Sequence, residues 1–384
     1  MNYLITYEDA KEICEKYNNF NFSEHLFQID GFKISLFDYF ICDFNDFNNP
    51  LHSKQNVNAF DMRGITFVFN TDGTLWKRFL MLPKFFNLNQ VELTQYSNVK
   101  DKKIKHISSK EDGSLIAFMM LPNERIFAKT IAGFTNEQSE NAMILLEKSD
   151  ININWVSNKI KEGFTPLFEY VSFNNRIVLQ YTKSELRFIG LRNNINGDYI
   201  PASLVNDIPN SIIYIKEEKT SLDKLIERCK TEKDIEGWVV IFDNGLMIKV
   251  KSDWYCNIHG LRTENIFRED FIIENYYKET LDDIICQLDN EKDKDALDFV
   301  KNVIASIDNY FKHIDNSVNK MYHNWQNNFP DFKEFATRYH KEPYFEFLRY
   351  FENKVEYRNR IIDFILKKSW RLNNAREIVN KYKN

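Results

Sequence analysis

The sequence predicts an α+β protein, with antiparallel hairpins and flanking helices first and an all-helical portion last. Two runs carry the first part. "GITFVFNTDGTLWKRFLML" and "GWVVIFDNGLMIKVKSDWY" each place apolar strands on either side of a turn pair, Asp72-Gly73 in one and Asn244-Gly245 in the other, which is the pattern of a β-hairpin. The second part rests on "KDALDFVKNVIASIDNYFKHIDNSVNKMYHNW". There Ala296, Val300, Val303, Ile307, Tyr310, Ile314, Val318, Met321 and Trp325 recur at steps of four and three, one face of a long helix. At 384 residues and 46.0 kDa the chain is long enough for one large domain and a smaller one, each with its own core. The change of character near 258–264 sets the expected boundary, giving domains over 1–259 and 260–384.

Taken in order, "YEDAKEICEKY" reads as a helix, followed by the Asp72-Gly73 hairpin. "KIKHISSK" and "SLIAFMML" read as a strand pair around the turn Lys110-Glu111-Asp112-Gly113. "NEQSENAMILLEK" and "TSLDKLIERCK" are helical, and "TPLFEYV", "RIVLQY" and "LRFIGLR" are strands. The apolar face of the long helix is the core seam of a bundle rather than a cofactor box, and "EFLRYFENKVEYRNRIIDFILKKSWRLNNAREIVNKYKN" is helical by period as well.

Composition narrows the class. Hydrophobic residues make up 43% and charged residues 28%, the balance of a globular chain. The five cysteines are odd in number and scattered, with no Cys-x-x-Cys, so a disulfide framework and a zinc knuckle are not expected and a reducing, cytoplasmic setting is. The start "MNYLITYEDAKEICEKY" carries charges where a signal peptide needs an apolar core, and no run is long enough to span a membrane. No Gly-x-x-x-x-Gly-Lys-Ser/Thr occurs, so no P-loop kinase is expected. The net charge of −5 is unevenly placed: from Arg338 to the end stand 12 Lys and Arg against 6 Asp and Glu, leaving −11 for the remainder. A basic helical tail of this kind suits phosphates and suits an ordinary solvated face equally well.

The chemistry centres on Lys110-x-Asp112-Gly113 at a strand end. A lysine is a nucleophile only as the free amine, which requires desolvation or a neighbouring positive charge. Attack on a nucleotide's α-phosphorus further requires cations for the triphosphate and carboxylates for a divalent metal. Candidates for those parts accompany the turn. Lys249 and Lys251 alternate along "MIKVKSDW" and so share a face; Glu236-Gly237 opens the preceding strand; Glu169 interrupts the apolar "PLFEYV"; Arg63 precedes Gly64; Lys84 precedes the aromatic "FFNLN" that contains Phe86. Each has a plain structural alternative: an edge strand's wet face for the two lysines, a pairing of Glu169 with Arg176, a surface turn at Arg63, and a loop pinned by an aromatic plug at Lys84 and Phe86.

In this order these residues resemble the covalent nucleotidyltransferase superfamily of ATP-dependent ligases and mRNA capping enzymes. "KEDGSL", "NRIVL", "EGWVV", "KVKSDWY" and "PKFFNLN" resemble its phage-type, tRNA-repair RNA ligase branch, densely over residues 60–259 and loosely elsewhere. The resemblance implies an adenylyltransferase domain of the ATP-grasp-like ligase fold over 1–259 and a helical RNA- or tRNA-specificity module over 260–384. It implies that Lys110 takes AMP from ATP, and that Arg63, Lys84, Phe86, Asp112, Gly113 and Lys129 belong to the nucleotide site. Glu169 and Glu236 would hold Mg2+, with Gly237 required beside Glu236, and Lys249 and Lys251 would bind the α-phosphate and orient pyrophosphate. The implied reaction joins RNA 5′-phosphate and 3′-hydroxyl ends, those of a cleaved tRNA among them, after a separate end-healing kinase and phosphatase, in the host cytoplasm if the source is viral. Asp61 in place of a glutamate and Trp238 in place of a tyrosine are mild departures. Alternatives are a DNA ligase or GTP-dependent capping enzyme, which an oligonucleotide-binding barrel would follow where helices follow here, and a non-catalytic RNA-binding protein on the same fold.

Overall fold

The computed structural model describes residues 4–17, 21–40, 42–54, 56–173, 179, 181–258, 265–281, 285 and 294–383. The chain divides into two compact units, Met1–Gly260 and Leu261–Asn384. The first is built on three largely antiparallel sheets and the second is helical.

In the first unit, β1 (Phe22–Ile29), β2 (Phe32–Tyr39), β3 (Ile65–Phe69) and β4 (Leu75–Phe79) form a meander. The turn at Asp72-Gly73 joins β3 to β4 as expected. The third sheet takes β5 (Phe86–Asn87) and β6 (Ile104–Lys110) from this stretch and two later strands. The second sheet holds β7 (Ser114–Met120), β8 (Ile126–Lys129), β9 (Phe164–Val171), β10 (Glu185–Asn193) and β11 (Tyr199–Pro201), with β12 (Ile213–Tyr214) parallel to β10. The hairpin across Asn244-Gly245, β13 (Gly237–Phe242) and β14 (Met247–Lys251), completes the third sheet in the order β5-β14-β13-β6.

One expectation is corrected. The strands on either side of Lys110-Glu111-Asp112-Gly113 do not pair with each other: β6 pairs with β13, whereas β7 pairs with β8 and β9. The turn therefore carries the chain from one sheet to another. Strand pattern alone could not show this, because alternation marks which face of a strand is buried and not which strand it pairs with. The strand expected over 176–181, and the Arg176 partner suggested for Glu169, fall on residues outside the described ones or at their edge.

Apolar clusters hold the three sheets. Helices Glu137–Leu146 and Asp150–Lys161 cover the second sheet through Ala142, Leu146, Trp155, Val156 and Ile160. Helix Tyr7–Lys16, started by a reciprocal Thr6–Asp9 cap, packs Ala10 and Ile13 with Phe37 and Phe67 of the first sheet. Helix Leu222–Cys229 closes the back of the third sheet against Trp238, Val240, Ile248 and Val250. Between the second and third sheets lie Leu82, Phe85, Ala117, Leu167, Ile241 and Met247.

In the second unit the long helix runs Lys294–Asn328, and Ala296, Val300, Val303, Ile307, Tyr310, Ile314 and Val318 are buried along the face their spacing indicated. Glu269–Tyr277, Phe332–Tyr339, Lys354–Ser369 and Leu372–Tyr382 are the other helices described there, with a 3-10 segment at Phe345–Tyr350.

Candidate active site

Strand register assembles the site. In the third sheet Gly237 is the cross-strand partner of Lys110 on one side and of Lys251 on the other, so two lysines flank a residue that has no side chain. Two residues along, Val239 lies between Ser108 and Lys249. Because side chains alternate, both rows present the same face. Glycine is required at 237: φ is +150°, and a Cβ there would lie 2.1 Å from the Val250 carbonyl oxygen and 2.7 Å from Lys251 Cα. This face and the opposing face of the second sheet, carrying Leu115, Glu169 and Ile189, bound a cleft of about 520 Å³. Arg63, Lys110, Gly113, Glu169, Glu236, Lys249 and Lys251 all line it, residues that are up to 188 positions apart in the chain.

Glu236, 2% exposed, is held between the lysines: Oε2 lies 2.8 Å from Lys110 Nζ and Oε1 3.2 Å from Lys251 Nζ. Glu169 faces them from β9 and accepts a hydrogen bond from the Gly113 N–H at 3.1 Å. Its carboxyl is pushed up to about 7, chiefly by burial; Lys110 and Arg63 pull it down, while Glu236 and Glu111 push it further up. Arg63 stands in the turn before β3, its Nη1 3.4 Å from the Leu82 carbonyl oxygen, and Lys249 Nζ lies 5.2 Å from the centre of the Phe85 ring.

The turn after Lys110 is built by two residues with scaffold contacts. The Asp112 carboxylate is 1% exposed and does not line the cleft; it accepts from Tyr255 Oη at 2.8 Å and from the Leu179 N–H at 2.7 Å. It thus ties the turn to helix Asp253–Ile258 after β14. Gly113 lets β7 start hard against β9, since a Cβ there would meet the Tyr170 carbonyl oxygen at 2.4 Å. The close approach that excludes a side chain at 113 is therefore made by protein backbone.

Three further predicted residues lie behind the cleft wall. Lys129, 1% exposed, donates to the Gly64 carbonyl oxygen at 2.5 Å and lies 3.1 Å from Met81 Sδ; burial pushes its ammonium down to about 7. Lys84 rests over the rings of Tyr39, Phe47 and Phe86 at 5.1, 5.7 and 5.6 Å. Phe86 is buried among Phe44, Phe47 and Phe60.

The cleft also includes polar residues not singled out from sequence: Ser108, Ser109, Glu111, Ser114, Thr130 and Gln138. Parity with Lys110 on β6 was a usable signal for Ser108. Glu111 had none, because its place depends on Arg187, with which it is ion-paired, and on Tyr181, whose hydroxyl donates to it at 3.2 Å. Among the described residues no three His, Cys, Asp or Glu side chains gather as a ready metal site. Cys14, Cys42, Cys229 and Cys256 form no disulfide, and Cys286 lies outside the described residues. No described helix is long and apolar enough to cross a membrane.

A family model described as RNA ligase matches residues 61–255, more than half of the chain and all of the cleft's lining residues. The chain belongs to the RNA ligase family. A Thermovibrio ammonificans protein provisionally named RNA ligase is 28% identical over 205 residues, covering 52% of this chain and 53% of that protein. The match thus spans about half the length of that relative. Among solved structures, an archaeal ATP-dependent RNA ligase is similar in two forms. Form 1 has a TM-score of 0.48 at 12% identity, covering 81% of this chain and 82% of that one. Form 2 has a TM-score of 0.47 at 10% identity, covering 77% and 79%.

Proposed function

We propose that this RNA ligase family member is an ATP-dependent enzyme that joins RNA 5′-phosphate and 3′-hydroxyl ends through a lysyl-AMP on Lys110. The observation that carries the reading is the row Lys110, Gly237, Lys251, with the buried Glu236 carboxylate shared by the two ammonium groups at the cleft wall. A nucleophilic lysine needs a proton acceptor and an electropositive wall for phosphates. Glu236 Oε2 is the acceptor within reach, and Arg63, Lys249 and Lys251 are the wall.

In the first step the Lys110 Nζ–P bond forms at the α-phosphorus, the bond from that phosphorus to the bridging oxygen breaks, and pyrophosphate leaves with the electron pair. Glu236 takes the ammonium proton that frees the Lys110 amine, and the second proton, released as the Nζ–P bond forms, leaves with pyrophosphate. AMP then passes to the RNA 5′-phosphate, and a 3′-hydroxyl attacks that phosphate and displaces AMP. Glu169 and Glu236 would hold a hard divalent cation such as Mg2+: they are two carboxylates near each other, and a cation would offset the burial that raises Glu169. Bound there, the ion would neutralise phosphate charge. Since both Glu236 oxygens contact lysines, a cation held there would free those lysines to contact phosphates.

On this reading Met1–Gly260 is the adenylyltransferase unit and Leu261–Asn384 the RNA-docking one, with cleaved tRNA among the substrates and a separate kinase and phosphatase preparing the ends. The test is incubation with divalent metal and ATP labelled at the α-phosphate, and in parallel GTP. An acid-labile AMP adduct, absent in Lys110→Ala, is expected. The same variant should still join pre-adenylated RNA, because that step does not use the amine. Labelling of Lys110→Ala would remove the nucleophile assignment, and a GMP adduct would move the reading to capping chemistry.

A further inference from the structure

The helical unit carries an exposed aromatic that its own packing does not use. Trp370 is 66% exposed, at the corner where helix Lys354–Ser369 ends and helix Leu372–Tyr382 begins. An indole left in water forgoes most of the burial that makes tryptophan favourable in a fold. The corner is nonetheless fixed from below. Ser369 is 2% exposed and its hydroxyl donates to the Ile365 carbonyl oxygen at 2.8 Å, and Ile365 and Ala375 on either side are fully buried. Trp370 is thus presented from an anchored backbone.

The surroundings of the ring are cationic. Arg371 lies 4.6 Å from the ring centre, and Lys367 and Lys368 are exposed on the preceding helical turn. From Phe364 to Arg376 the chain has four basic residues and no Asp or Glu. A bland account assigns the lysines to the negative end of the helix dipole, but it leaves the exposed indole unexplained. A stacking ring with cations on both chain sides is what binds unpaired nucleotides, bases on the π-face and phosphates on the ammonium groups. A protein partner would have to match the Arg371 cation beside the ring and the two exposed lysines on the preceding turn, in a stretch from 364 to 376 that holds no acid.

We propose that the Trp370 corner is a stacking platform for single-stranded RNA, with a base on the indole and the flanking phosphates on Arg371, Lys367 and Lys368. The inference rests on the RNA ligase reading for the identity of its ligand, and its test separates the two. Full-length protein is titrated with a fluorescein-labelled single-stranded RNA 12-mer, and AMP labelling is measured on the same samples. Trp370→Ala should weaken RNA binding about 5- to 100-fold, the range of one lost base stack. Trp370→Phe should retain most of the affinity. Lys367→Ala with Lys368→Ala should flatten the salt dependence by about 1.4 units of slope. AMP labelling should be unchanged in all three. Wild-type affinity in Trp370→Ala overturns the platform. So does an equal loss in Trp370→Phe accompanied by a fall in Tm, which would show that the indole packs rather than stacks. A wild-type chain that binds RNA through Trp370 yet takes no AMP would retain the platform and remove the ligase reading.

Discussion

Lys129 is the residue whose surroundings are least ordinary. Its ammonium is buried beside a carbonyl oxygen and a thioether, and the charge of Asp38 favours its protonation. It holds the Gly64 carbonyl, next to Arg63 in the cleft, while Thr130, Ile131 and Ala132 after it line the same cleft. Its bond to the Gly64 carbonyl supports the turn that carries Arg63. Its folded value of about 7 lies below the ordinary lysine range near 10. Between those values the unfolded chain holds a proton that the folded chain has lost, so this group makes stability rise with pH from about 7 to about 10. Urea unfolding of wild type and Lys129→Met across that range should show the difference shifting toward wild type, by at most about 1.4 kcal/mol per pH unit. Parallel curves would show that the buried amine does not titrate there.

At the scale of elements, one alternation does most of the work in the β13–β14 hairpin. Lys249 and Lys251 face the cleft, while Ile248 and Val250 face the cluster under helix Leu222–Cys229. Exchanging two neighbours, Val250→Lys with Lys251→Val, keeps composition and hairpin turn but inverts both faces. The exchange places an ammonium at a position that is 3% exposed, which should cost more than about 3 kcal/mol, and removes Glu236's second cation. Lys251→Val alone should lose AMP labelling with a smaller fall in Tm. Equal destabilisation by the single and double variants would show that parity is not what places these lysines.

For the whole molecule, the division into Met1–Gly260 and Leu261–Asn384 puts every cleft residue and all three sheets in one unit. Residues 1–260 expressed alone should therefore fold and take AMP from ATP at close to the full chain's rate, while joining RNA ends poorly. A truncated chain that folds but takes no AMP would mean that the helical unit completes the nucleotide site.

The residues themselves determined a good deal. The two glycine turns give two hairpins, the period of the helix from Lys294 gives its buried face, and the parity of Lys249 and Lys251 gives a shared side, because each is a local rule of backbone geometry. The resemblance in the Lys110 turn and its companions pointed to the family that the match over 61–255 shows. Only the tertiary structure decided the rest. Which strand Lys110 pairs with is set by sheet-to-sheet packing, so the strands beside it part company and the row with Gly237 and Lys251 appears. Whether a polar residue faces the cleft or supports it from behind also depends on long-range partners. Asp112 and Lys129 are turned inward by Tyr255 and Gly64, and Glu111 is placed on the cleft by Arg187, none of which spacing along the chain can convey.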